Sequence, residues 1–220
     1  PSHIVFSGVG KTEAEIIQAL DTGIGQFNVE SASELDLIAT LAAARGLVAP
    51  VVLRVNPDVD AKTHDKISTG RKADKFGIDI DDASPLYARA AAMTGVRPVG
   101  IAVHIGSQLT SLEPFRAAFL RVRELIESLR AAGHDVLRLD LGGGLGIPYI
   151  DEEPPSPDDY GAMVTETVGN LGVELTVEPG RLLVGNAGIL VTRVIRTKQT
   201  TTKRFVIVDA AMNDFIRPTL

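Results

Sequence analysis

Three runs in this chain hold residue types that could do chemistry together: His104-Ile-Gly-Ser-Gln108, Asp140-Leu-Gly-Gly-Gly-Leu-Gly146 and Thr176-Val-Glu-Pro-Gly-Arg181. Each lies at the end of an apolar stretch that reads as a buried strand. Consecutive glycines let backbone N–H groups converge on an anion with no Cβ in the way, and a helix starting just after would add the positive end of its dipole. Gly142, Gly143 and Gly144 therefore point to the phosphate of a cofactor or substrate, although a glycine triplet also serves as a plain flexible turn. Glu178 would stand at the same rim, where a carboxylate could hold a proton on a ring nitrogen or bind a cation. Arg181, three residues on, is available to an anion or to the glutamate itself as a structural ion pair. In the histidine run, Gly106 permits a tight turn and Ser107 offers a hydroxyl to a phosphate oxygen. His104 taken alone also fits a histidine satisfied by hydrogen bonds at the top of a sheet.

Two nucleotide-binding readings of the glycines do not hold. Gly142-Gly-Gly-Leu-Gly146 lacks the spacing of the dinucleotide fingerprint, and no helix with a suitable acidic partner follows promptly. Gly8-Val-Gly-Lys-Thr12 looks like the end of a P-loop, but the glycine required upstream would fall at Val5, inside a strand. Asn56 to Lys75 is a long polar loop with Asp58, Asp60, His64 and Asp65; it suits a solvated active-site loop or lid better than a metal site. Glu152-Glu-Pro-Pro-Ser-Pro157 reads as a linker.

The elements that must position these residues alternate strand and helix. Strands are expected at His3 to Phe6, Gln26 to Val29, Val51 to Val55, Val99 to His104, Val136 to Leu141 and Glu174 to Glu178. Helices fit between them at Thr12 to Leu20 with Gly23 as its stop, from a Ser33 cap toward Gly46, and at Ser84 to Met93, Pro114 to Ala132 and Pro157 to Val168. This rhythm demands parallel pairing. After Arg181 it changes: Ile189 to Arg196 and Arg204 to Asp209 alternate as strands around a Thr-rich turn, which predicts an antiparallel hairpin. The fold class is α/β, an incomplete TIM-type (β/α) barrel of six βα units over residues 1–182, lacking its first strands, followed over 183–220 by the beginning of an antiparallel β domain. Six units do not close an eight-stranded barrel and leave two open edges, so a longer polypeptide is expected.

Composition narrows the classes. The chain has 220 residues, 45% of them hydrophobic, enough for a sizeable core. With no cysteine, disulfides and thiolate metal sites are excluded. A formal charge of -6 argues against broad attraction to nucleic acid or an anionic membrane. No apolar run reaches the length of a membrane span and the start has no signal pattern, so cytoplasm is the default expectation.

Taken together, the three runs resemble the pyridoxal-phosphate decarboxylases built on an alanine-racemase-like barrel. Within that group, Phe6-Ser-Gly-Val-Gly-Lys11, Phe27-Asn-Val-Glu-Ser31, Leu53-Arg-Val-Asn-Pro-Asp58, Lys75-Phe-Gly-Ile78, Val184-Gly-Asn-Ala-Gly188 and Asp209-Ala-Ala-Met-Asn-Asp-Phe-Ile-Arg-Pro218 resemble the diaminopimelate decarboxylase family across essentially the whole chain. The resemblance implies that pyridoxal 5'-phosphate is the cofactor and that the intact protein is a carboxy-lyase converting meso-2,6-diaminopimelate to L-lysine. It implies that His104 packs over the cofactor ring, that Ser107, Gly142, Gly143, Gly144 and the backbone at Pro179, Gly180 and Arg181 hold the phosphate, and that Glu178 faces the pyridine nitrogen. Arg181 and Arg217 would bind the distal carboxylate of the substrate, with Arg54 a weaker candidate. Family members are homodimers with shared active sites, so a small amino acid substrate and a second copy are the partners implied.

The departures are specific. The family's Schiff-base lysine lies on an early strand in a Tyr-Ala-x-Lys context that this chain does not contain, and Lys11 is not its equivalent. The distal cysteine-containing motif is also absent, and Leu182 stands where many relatives have serine. This chain alone is therefore expected to be inactive. The alternatives are a decarboxylase of ornithine or arginine type, and a non-catalytic regulator that keeps the fold without the lysine.

Overall fold

The computed structural model describes residues 1–59 and 75–216. Seven parallel strands form one sheet: β1 (Val5–Phe6), β2 (Gln26–Val29), β3 (Ala49–Asn56), β4 (Ile78–Asp79), β5 (Val96–Val103), β6 (Arg138–Asp140) and β7 (Glu174–Thr176). The order is β1-β2-β3-β5-β6-β7, with the two-residue β4 paired only to the end of β3. Strands that pair in chain order with a helix over each crossover make the singly wound, curled sheet of a barrel, here a half-barrel of six main strands.

Alternation along the strands explains how the sheet is filled. Phe27 and Val29, then Val51, Leu53 and Val55, then Ile101 and Val103, then Leu139 and Leu141 pack in one core with the helices. Their neighbours of the other parity, Gln26, Asn28, Glu30, Arg54, Asn56 and Asp140, are buried polar residues. These turn to the concave face, because Asn28 on β2 reaches Asp140 on β6, and Arg138 on β6 reaches Gln26 on β2, across strands that are not neighbours. A period of two thus divides the sheet into an apolar face under helices and a polar interior.

The helices are α1 (Glu13–Thr22), α2 (Ala32–Ala43), α3 (Ile80–Ala92), α4 (Glu113–Ala131), α5 (Pro157–Val168) and the four-residue α6 (Arg181–Val184). Thr12 and Ser156 each form a capping box, with Glu15 and Asp159, and Gly23 ends α1 in the left-handed conformation. Two starts differ from expectation. The cap of α2 is Ser31, not Ser33: Ser31 is extended and its hydroxyl accepts from the Glu34 amide. Helix α3 begins at Ile80, a turn before Ser84, because Asp79 caps it.

The chain divides into two compact units, residues 1–182 and 183–220. In the second, β8 (Val194–Gln199) pairs antiparallel with β9 (Arg204–Val208). Strand β8 starts at Val194 and not at Ile189. Among the described residues no helix is long and apolar enough to cross a membrane.

Candidate active site

The three runs meet at the C-terminal ends of β5, β6 and β7. Strand β5 ends at Val103 and β7 at Thr176, so His104 sits one residue, and Glu178 two residues, beyond a strand. The loop after β5 is zipped to the loop after β6: the Leu109 amide donates to Gly144 O at 2.9 Å, and the Gly146 amide to Leu109 O at 2.9 Å. Gln108 secures the same junction, its Nε2 donating to Ile147 O at 2.5 Å while its Oε1 accepts from the Ile147 amide at 3.2 Å. It does so at a φ of 59°, a left-handed backbone held by the surrounding bonds. The loop after β7 joins through the Glu178 amide, which donates to Gly142 O at 2.7 Å.

The glycines are required by this closeness. A Cβ on Gly143 would lie 1.9 Å from the carbonyl oxygen of Glu178, and one on Gly144 would lie 2.2 Å from that of Gly106. Gly142 and Gly144 have φ of 65° and 110°. The turn is therefore a narrow bend between two other loops, and only glycine fits it. No helix follows it directly, since α5 begins only at Pro157. The expected helix dipole behind the glycines is absent there, because the chain first passes through the Pro-rich stretch.

His104 Nδ1 accepts from the Gly143 amide at 3.1 Å, which leaves the ring proton on Nε2. Burial, aided by the positive charge of Arg54 and opposed by Glu30, pushes the imidazole down to about 4, so it stays neutral. Glu178 goes the other way. Burial and then the charge of Asp140 raise its carboxyl above the usual range, while the Ser7 hydroxyl, 3.2 Å from its Oε1, and Arg54 pull it partly back.

Arg181 donates through one NH1 to Tyr149 Oη at 2.9 Å and toward Gln108 Oε1 at 3.3 Å. Its guanidinium also lies 6.0 Å from the centre of the Tyr149 ring. Among the described residues its hydrogen bonds go to Tyr149 and Gln108 and to no carboxylate, so the expected alternative of a Glu178–Arg181 pair is not formed. Pro179 and Gly180 turn the chain into α6, with Gly180 at φ 51° and the Leu182 amide donating to Pro179 O. Ser107 lies half-buried beside Gly106 in the β5 loop. Arg54 is occupied by Glu30 at 2.7 Å and lies over Phe76. Lys11 is buried against Glu34, Gly8 O and Asn28 O, a structural role. Arg217 lies outside the described residues, as do Asp60, His64 and Asp65 of the polar loop; among the described residues no acidic and histidine cluster could hold a metal.

Sequence reasoning missed Ser7, Asn28, Asp140 and Tyr149 as neighbours of the site. The alternation Gln26-Phe27-Asn28-Val29-Glu30 was the available signal, since polar residues at every second position of a buried strand need polar partners inside.

The model of the pyridoxal-dependent decarboxylases, pyridoxal binding domain, matches residues 1–185. This chain belongs to the pyridoxal-dependent decarboxylases. Among curated relatives, the diaminopimelate decarboxylase of Zymomonas mobilis is 52% identical over all of this chain, which spans 53% of that protein. The solved structure of Helicobacter pylori diaminopimelate decarboxylase complexed with L-lysine superposes with a TM-score of 0.94 at 44% identity, over 98% of this chain and 54% of that one. The arginine decarboxylase of Paramecium bursaria Chlorella virus has the same fold at a TM-score of 0.73 and 27% identity, over 90% of this chain and 51% of that one. The chain thus spans about half the length of the decarboxylases it matches.

Proposed function

We propose that this chain supplies the cofactor-binding part of a decarboxylase that converts meso-2,6-diaminopimelate to L-lysine and carbon dioxide with pyridoxal 5'-phosphate. The supporting observation is the convergence of a neutral imidazole, a glycine bend and a half-buried carboxyl on one rim of a chain belonging to the pyridoxal-dependent decarboxylases. The likeness to the Helicobacter pylori diaminopimelate decarboxylase exceeds that to the arginine enzyme in both identity and superposition. Residues 1–182 would be the cofactor barrel and 183–220 the beginning of a C-terminal β domain. By family resemblance the whole protein works as a cytoplasmic homodimer with shared sites.

The residues fit that cofactor. Gly142, Gly143, Gly144, Ser107 and the backbone at Pro179, Gly180 and Arg181 would hold its phosphate, His104 its ring face and Glu178 its ring nitrogen. When bound, the group supplies the electron sink that takes up the pair left as the C–C bond to the departing carboxylate breaks. Glu178 would serve by holding a proton on the ring nitrogen, its carboxyl steadied by the Ser7 hydroxyl at 3.2 Å. His104 serves by staying uncharged, so that its face can pack on a ring without bringing a cation beside it. Its Nδ1 bond to Gly143 ties the orientation of that face to the glycine bend. Arg181, held by Tyr149 and Gln108 and without a carboxylate partner among the described residues, offers a guanidinium to the second carboxylate that distinguishes diaminopimelate from lysine.

The test is carbon dioxide release by the full-length protein carrying this sequence, supplied with cofactor and given meso-diaminopimelate or ornithine in separate reactions. Release from diaminopimelate is expected. Release from ornithine alone would overturn the substrate, and release from neither would overturn the activity.

A further inference from the structure

Ser7 follows β1, Asn28 lies one residue before the end of β2 and Asp140 ends β6, and none belongs to the residues assigned above to cofactor or substrate. Asn28 and Asp140 are 2% and 1% exposed. Asn28 Nδ2 donates to Ser7 Oγ and to Asp140 Oδ2, both at 2.8 Å, and its Oδ1 accepts from Gln26 Nε2 at 2.9 Å. Ser7 Oγ donates to Glu178 Oε1 at 3.2 Å. The other oxygen of Asp140 accepts from the Gly142 amide at 2.9 Å.

The donor inventory fixes the direction of every link. An amide nitrogen has two protons, and here one goes to the serine and one to the aspartate. A hydroxyl has a single proton, and since Ser7 already accepts from Asn28, its own proton is directed to Glu178. The result is a chain from Glu178 through Ser7, Asn28 and Asp140 to Gly142, with Asp140 also meeting the Glu178 carboxyl directly. Its two ends are the carboxyl that would face the ring nitrogen and the first amide of the bend that would take the phosphate.

We propose that Asn28 is a positioning residue that sets the separation and orientation of these two ends, with Ser7 as its arm to Glu178 and Asp140 as its arm to the glycine bend. The inference rests on the cofactor reading above. Its buried members, Asn28 and Asp140, would cost more than apolar packing if left unpaired, and both are hydrogen-bonded here. Removing the Ser7 arm would also leave Glu178 to burial and to Asp140, with Arg54 the remaining positive charge against them.

The test uses the full-length protein loaded with pyridoxal phosphate. Ser7→Ala, at an exposed position, is expected to lower kcat about tenfold with KM little changed, the loss of one hydrogen bond to a charged group. It should also move the pH-dependent transition in the visible absorption of the bound cofactor upward. Ser7→Thr, which keeps the hydroxyl, should restore both. Asn28→Ala should in addition release cofactor on dialysis, because Asp140 loses its orientation toward Gly142. If Asn28→Ala does not fold, the Ser7 pair decides. An unchanged kcat and absorption profile in Ser7→Ala, or a loss of thermal stability with both intact, overturns the positioning role alone. Wild-type protein that takes up no cofactor overturns the role together with the reading beneath it.

Discussion

His104 accepts a hydrogen bond on Nδ1 and is buried near a guanidinium, and both features oppose a second ring proton. Between a folded value of about 4 and the unfolded value near 6.5, the unfolded state binds more protons at this residue, so stability rises with pH across that window and is level above it. The size is on the order of 3 kcal/mol. Glu178 contributes the opposite slope, because its raised carboxyl binds more protons when folded and that stabilisation fades as pH climbs through its folded value. The two are separated by comparing urea unfolding of cofactor-free full-length protein with that of His104→Phe from pH 4 to 7. Wild type should lose stability relative to His104→Phe as the pH falls, and a difference independent of pH would mean that His104 does not resist protonation.

Residue types at strand ends were enough to expect His104, the glycines and Glu178 at one rim, where the loops do meet, because a helix-covered parallel strand makes its last polar residue conspicuous. The interior was harder to read. Asn28 and Asp140 look like interruptions of apolar runs until the sheet curls and brings β2 opposite β6, a distance that no local pattern encodes. The cap at Ser31 and the start of α3 at Ile80 were misplaced for a simpler reason: several Ser and Asp residues compete at each helix start, and only backbone conformation selects one. At this scale the decisive element is the junction of three loops. Gly143→Ala would place a methyl carbon 1.9 Å from Glu178 O, so the loops after β6 and β7 must part. The expected cost is about 1–3 kcal/mol of stability, with cofactor lost on dialysis. Gly161 in α5 has nothing within 4 Å of an added Cβ, and Gly161→Ala should be neutral or stabilising by up to about 1 kcal/mol. Thermal melts and visible absorption of the two variants check both statements, and cofactor retained in Gly143→Ala would show that the bend is not tight.

For the molecule as a whole, the two units differ in what could hold them together. Residues 1–182 have a continuous core running from Ile16 to Leu171 along the helix-covered face of the sheet. Among the described residues beyond 182 none is buried, and Ile189, Val191 and Val206 are 90%, 81% and 58% exposed. The hairpin of β8 and β9 is secured mainly by its own ladder and by Asp209, which accepts from Thr192 Oγ1 and the Arg193 amide at 2.8 Å each. A two-stranded ribbon with both faces in water is marginal, because backbone pairing alone does not offset the entropy of ordering about 1–2 kcal/mol per residue. A peptide of residues 183–220 should therefore show no cooperative thermal transition by circular dichroism and little protection of its amides from exchange. A sharp, reversible melt of that peptide would show instead that the hairpin carries its own stability, and that the apolar side chains it exposes find partners within those 38 residues.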